Sequence, residues 1–201
     1  MPNSKVMPVI IPGSGDGLLV VDVQNDFLPG GALAVAGGYE VVSALNRYLV
    51  LFSEKGLPVY ASRDWHPADH CSFRAQGGPW PPHCIADTAG AAFPAGLALP
   101  PSTVVISKAT NREPDAYSAF TGTRLDERLR HDGVHRLFVG GLATDFCVLH
   151  SVSDALRLNY TVTVLTDAIS AVEATAGDGE RALATMREHG AAFATWKDLS
   201  T

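Results

Sequence analysis

The sequence lacks a long apolar run, lacks any block of lysine or arginine, and has too few cysteines for a disulfide frame. No stretch approaches the roughly 18 apolar residues that span a bilayer. The apolar patch Val9, Ile10 and Ile11 behind Lys5 ends at Pro12-Gly13-Ser14-Gly15-Asp16, well short of a secretory signal. Charge is sparse: 18% of residues are charged, and 15 Lys+Arg against 21 Asp+Glu leave a net −6. An acidic balance without a basic block argues against a nucleic-acid or membrane partner held by counterion release. The expected partner is a small neutral or polar molecule. The three cysteines, at 71, 84 and 147, are odd in number and form no C-x-x-C pair, which fits a reducing compartment and a soluble, cytoplasmic protein. These absences are neutral on self-association and compatible with a homo-oligomer.

What is present is a 201-residue chain, 46% hydrophobic, of a length that forms one domain over 1–201, with 1–15 as an N-terminal extension. β-Branched runs predict strands at Leu18 to Val23, Pro58 to Ser62, Thr103 to Ser107, Arg136 to Val139, Thr161 to Leu165 and Ala192 to Thr195. Several are continuous rather than alternating, the pattern of strands buried on both faces. Val41, Val42, Leu45, Tyr48, Leu49 and Phe52 recur at steps of three and four, as do Val148, Leu149, Val152 and Leu156, and a further helix is expected between Gly179 and Glu188. Strand and helix therefore alternate. The expected fold is α/β, a six-stranded, mainly parallel sheet with helices on both faces. Pro67 to Pro101 has no periodic pattern, and a loop of that length usually carries function or is disordered.

Ligands of open parallel sheets bind beyond the carboxyl ends of the strands. The predicted strands put Asp22 at the end of the first, Asp64 just past the second, Lys108 just past the third and Cys147 in the turn and helix start after the fourth. Any one of these has an ordinary alternative as a turn residue or a small buried side chain. Together they supply a nucleophile in Cys147, a general base in Asp22 and a cation in Lys108, and a helix start and a cation are both expected to lower the thiol pKa. Amides of the Gly140 to Cys147 turn can hold an oxyanion. Asp64 and His66 alternate in extended backbone past the second strand, and the long loop can bring His70 and His83 round to them, a donor set suited to one divalent ion, Zn, Fe or Mn. Cys71 and Cys84 follow two of these histidines, but their spacing matches no zinc-finger pattern, so both are expected to be packing residues.

Val21-Asp22-Val23-Gln24-Asn25-Asp26-Phe27, Asp64-x-His66, Trp80-Pro-Pro-His83-Cys84, Ser107-Lys108 and Gly141-Leu142-Ala143-Thr144-Asp145-Phe146-Cys147-Val148 occur in that order. In this the chain resembles the nicotinamidase branch of the isochorismatase-like cysteine hydrolases, from about residue 16 to the C-terminus. The resemblance implies a three-layer αβα fold and hydrolysis of nicotinamide, with pyrazinamide as an analogue, through a thioester to the acid and ammonia, a step of NAD salvage. It implies Asp22, Lys108 and Cys147 as the triad and Asp64, His66, His70 and His83 as ligands of a metal, zinc foremost. It also implies a cis peptide before Ala143, an oxyanion hole from the amides of Ala143 and Cys147, and Phe27, Trp80 and Tyr117 around the pyridine ring. Two features depart from the pattern: only three residues separate His66 from His70, and the segment Ala109 to Ala116 carries Arg112, Glu113 and Asp115. The competing readings are another small-amide amidase of the superfamily and a catalytically silent binding module.

Overall fold

Neighbouring residues of the first strand point into different cores. In a computed structural model that describes residues 9–199, β1 (Asp16–Val21) sends Leu18 and Val20 to one side and Leu19 and Val21 to the other, all fully buried. This follows from the two-residue side-chain period of a strand and explains the unbroken apolar run. Behind it follow α1 (Gly38–Glu54), β2 (Val59–Asp64), β3 (Val104–Lys108), α2 (Leu125–His131), β4 (Arg136–Leu142), α3 (Leu149–Arg157), β5 (Thr161–Ser170), α4 (Asp178–Glu188) and β6 (Ala192–Ala194). The sheet runs in the order β3-β2-β1-β4-β5-β6, and every pairing is parallel. The fold is thus the expected αβα sandwich, with an entirely rather than mainly parallel sheet.

The layers follow from the apolar stripes. On α1 the six periodic residues Val41, Val42, Leu45, Tyr48, Leu49 and Phe52 are all buried, packed against Leu18, Val20 and Phe138 together with Ala91 and Leu97 of the long loop. Burying one such side chain contributes about 1.5 to 3 kcal/mol. The opposite core joins Leu125 and Leu129 of α2, Val152 and Ala155 of α3, and Ala182 and Met186 of α4 to Leu19, Val21, Leu137 and Val139.

Two expectations need correction. The helix α2 lies between the third and fourth strands, where none was expected. The strand boundaries shift: β1 stops at Val21, so Asp22 lies just past it, whereas Asp64 and Lys108 are the last residues of β2 and β3. Of the N-terminal extension, residues 1–8 lie outside the described residues, while Ile10 donates its amide to Asp198 O at 2.8 Å and bridges to Leu199. The loop between β2 and β3 is ordered by bridges rather than by helices: His66 pairs with Ile85, and Phe73 with Trp80. Among the described residues no helix is long and apolar enough to cross a membrane.

The sheet order reverses direction between β1 and β4, and a doubly wound sheet opens a crevice at such a point, beyond the strand carboxyl ends. Gly141 of β4 takes φ +134°, and a Cβ there would collide with the Val21 carbonyl, so the two strands approach as closely as they do because the residue is glycine.

Candidate active site

Asp22 leaves β1 in the left-handed region, φ +48°, which turns its carboxylate under the crevice. Ser62 of β2 donates to its Oδ1 at 2.6 Å, and Lys108 Nζ lies 3.0 Å from its Oδ2. Lys108 and Asp64 are register partners on β3 and β2, and Lys108 Nζ also donates to Asp64 Oδ1 and, at 2.8 Å, to Ala116 O. The same ammonium is 3.6 Å from Cys147 Sγ. One carboxylate oxygen each of Asp22 and Asp64 and the Cys147 sulfur lie within 4.8 Å of one another, and all three residues are buried. The structure thus gathers the four strand-end residues into one cluster.

Its electrostatics are those of shared charge in a dry site. Burial would lower the Lys108 pKa, but Asp22 and then Asp64 outweigh it and hold the amine firmly protonated. Burial likewise pushes Asp64 up, yet Lys108 and then His66 bring it well below the usual carboxylate range. For Asp22 burial prevails over Lys108 and raises the carboxyl pKa, which is what a proton acceptor for a neighbouring thiol needs. The expected low thiol pKa is overturned: burial, opposed by Lys108, holds Cys147 well above the normal thiol range. Burial thus favours the thiol form of Cys147. Its proton has a destination in the adjacent Asp22 carboxylate.

Cys147 does not open a regular helix. It sits in a π-helical turn, Thr144–Val148, in which Val148 N reaches back to Ala143 O at 3.1 Å before α3 begins. Such insertions are rare and recur at functional sites. The Leu142–Ala143 peptide is cis, as the resemblance implies, and Ala143 and Cys147 both line the crevice.

The histidines stand on the other side of Asp64. Ligand atoms of Asp64, His66 and His83 lie within 4.8 Å of one another. His70 falls outside that trio, although its ring stacks on His66 with centroids 4.1 Å apart. Each imidazole is anchored through Nδ1: His66 to Ala109 O at 3.3 Å, His70 to Ser72 Oγ at 2.7 Å and His83 to Pro81 O at 2.8 Å. Phe73, itself buried, packs its ring against all three, at centroid distances of 5.5 to 5.7 Å. Anchoring Nδ1 leaves Nε2 free, the usual second shell of a metal-binding histidine, and His70 Nε2 is a buried nitrogen with no hydrogen-bond partner. Burial lowers the pKa of His70 and His83, favouring the neutral imidazole that can donate to a metal. The residues therefore fit a divalent cation, and Asp64 belongs to both groups, one oxygen toward Lys108 and the other 3.7 Å from His66 Nε2.

Above both groups lies a cleft of about 440 Å³, counted to its open mouth. Phe27, Trp80 and Tyr117, the aromatic residues singled out from the sequence, all line it, and Trp80 Nε1 donates to the Tyr117 hydroxyl at 3.0 Å. Phe146 also lines it, edge-on to Trp80 at 5.0 Å. Of the two cysteines expected to pack, Cys84 is fully buried and Cys71 is half-buried.

The sequence reading missed Ser62 and Gln24. Gln24 is buried and clamps Asp64, accepting from its amide and donating to its carbonyl, both at 2.8 Å, while a further bond at 2.8 Å ties it to Ala91 O of the long loop. A signal existed for Ser62, which lies two residues before Asp64 in the extended chain of β2, whereas Gln24 follows the left-handed turn at Asp22 and shows no such period. Asp115 lines the cleft as well.

A carboxylate and a thiol on neighbouring strand ends, with a cation between them, meet the requirements of covalent hydrolysis, and on fold and site together the chain is a hydrolase. It belongs to the isochorismatase family, whose domain model matches residues 16–198. Its relatives include the nicotinamidase of Escherichia coli K12, 39% identical over 202 residues that cover 90% of this chain and 95% of that protein. Among solved structures, the pyrazinamidase of Pyrococcus horikoshii in complex with zinc is 44% identical, with a TM-score of 0.87 over 90% of this chain and 99% of that one. PnC1 from L. infantum in complex with nicotinate is 35% identical, with a TM-score of 0.88 over 96% and 98%.

Proposed function

We propose that this chain is a nicotinamidase, a cysteine amidohydrolase that converts nicotinamide to nicotinate and ammonia, accepts pyrazinamide, and returns the pyridine ring to NAD synthesis. The observation that carries this is the buried Asp22, Lys108 and Cys147 cluster opening into a small aromatic cleft edged by imidazoles. The kinship with nicotinamidases and pyrazinamidases supports the choice of amide.

In this reading Phe27, Trp80 and Tyr117 hold the ring and exclude water. Asp22 takes the Cys147 proton, its hydrogen bond from Ser62 and its ion pair with Lys108 fixing the oxygen that receives it. The sulfur attacks the carboxamide carbon, and the amides of Ala143 and Cys147 hold the oxyanion. Collapse breaks the C–N bond, Asp22 gives its proton to the leaving nitrogen, and ammonia departs. Water then adds to the thioester with Asp22 as base, the C–S bond breaks, and the carboxylate leaves a regenerated thiol. Asp64, His66, His83 and His70 would hold one divalent cation, zinc foremost with iron or manganese as alternatives. The chemistry such an ion supplies when bound is a Lewis-acid anchor for the ring nitrogen, which orients the substrate.

The test is ammonia release from a panel of nicotinamide, pyrazinamide and small ureido and carbamoyl amides. Nicotinamide turnover that falls by several orders of magnitude in Cys147→Ala is the expected result. Turnover confined to the ureido or carbamoyl compounds would assign the chain to another amidase activity. Parental rates in the Cys147→Ala protein would refute the mechanism.

A further inference from the structure

The charged segment after Lys108 separates into one residue that faces the cleft and two that do not. Arg112 lies 3.7 Å from Asp69, with both side chains more than 60% exposed, and Glu113 is exposed. Asp115 lines the cleft beside Ser72, Trp80 and Tyr117. Its Oδ1 accepts from the amide of Ala116 at 2.8 Å, the residue whose carbonyl holds Lys108. Among the described residues Asp115 forms no ion pair, whereas the other carboxylates at the cleft floor, Asp22 and Asp64, share Lys108. Asp115 is thus the negative charge of the cleft wall that no cation side chain offsets.

We propose that Asp115 is a specificity-determining residue that rejects anionic ligands, above all the carboxylate product; the inference rests on the amidase reading above. A carboxamide and its acid have nearly the same shape and differ by a full charge. Aromatic walls discriminate poorly between isosteres. A fixed carboxylate in a partly desolvated cleft separates the two by Coulomb repulsion, without any new contact to the neutral substrate. The acid formed by hydrolysis is expelled, and its accumulation outside the enzyme does not refill the site.

The experiment compares the nicotinate inhibition constant with the nicotinamide KM in the parent, Asp115→Asn, Asp115→Ala and Asp115→Glu proteins. Asp115→Asn and Asp115→Ala are expected to tighten nicotinate relative to nicotinamide by about three- to tenfold, the scale of one screened charge near the ligand. Asp115→Glu should keep the parental ratio, and the gain should shrink as salt rises. Glu113→Gln, which removes a charge of the same loop outside the cleft, should leave the ratio unchanged. If Asp115→Asn and Asp115→Ala moved both constants by one factor, the residue would be structural and the inference overturned. If the parent did not hydrolyse nicotinamide, the function reading would fail instead. Nicotinate binding followed by tryptophan fluorescence would then decide, equal affinity in parent and Asp115→Asn overturning the charge effect.

Discussion

Lys108 is the residue on which most of the site's charge balance rests. A fully buried ammonium has to be compensated, and here two carboxylates, a carbonyl and a sulfur surround it. Replacing it with methionine keeps the volume but leaves Asp22 and Asp64 facing each other in a dry site. Removing one partner of a buried ionic group typically costs about 3 to 5 kcal/mol. Lys108→Met is therefore expected to lower the unfolding free energy, read from urea denaturation, by about that amount and to abolish turnover, both measurable on one preparation. Residues of this kind were readable because a charged group at the end of an apolar run has few reasons to be there. Ser62 and Gln24 were harder to read, since a neutral polar side chain in or just past a strand leaves little mark on hydropathy, and its importance is set by the partner it meets.

Among the elements, the strands and α1 declared themselves through apolar patterning, while α2 did not. Its sequence Leu125-Asp-Glu-Arg-Leu-Arg-His131 contains only Leu125 and Leu129 as apolar residues, too few to establish a period. Besides its two core leucines, a polar anchor at its C-terminal end holds it to the sheet: Tyr60 of β2 donates to Asp132 at 2.7 Å, and Arg128 Nε of the helix donates to the same carboxylate at 2.7 Å. Burial pushes the Asp132 carboxyl up, but hydrogen bonds from Arg128, His131 and Tyr60 outweigh it and hold the pKa at about 2 against a usual 3.8. A folded pKa below the unfolded one gives stability that is present above the unfolded value and lost as pH falls through the folded value. Asp132→Asn should therefore destabilise the protein at about pH 6, and the deficit should narrow steadily toward about pH 3, read as urea unfolding free energies of the two proteins. The ends of the first three strands were misplaced by one or two residues, and β4 and β5 run further than expected, to Leu142 and Ser170, for a related reason. Burial does not stop where the ladder stops, and Asp22 is as buried as the strand before it.

For the whole molecule, the division of labour lies between a sheet that carries the triad and a loop that carries the histidines. The sheet is held by two cores and a continuous ladder. The loop is held by Phe73, by the Gln24 clamp and by the Asp26 carboxylate, which accepts from Cys84 N at 2.7 Å. A cation bound by Asp64 and the histidines would add to these anchors by mass action, about 3 to 4 kcal/mol at 100 to 1,000 times its dissociation constant. Chelation is accordingly expected to lower the melting temperature by roughly 5 to 15 °C. Amide hydrogen exchange should rise within residues 65–103 while β1, β4 and β5 stay protected, and zinc added back should reverse both changes. The parallel pairing of β1 with β4, Asp16 opposite Arg136, has one more consequence. The two halves of the reactive pair come from strands separated by most of the chain, and such non-local pairing forms late. During synthesis the thiol cannot meet its base until the chain has been made past β4 and has paired it with β1, so a chain truncated before Cys147 carries Asp22 and Lys108 but no assembled hydrolytic site.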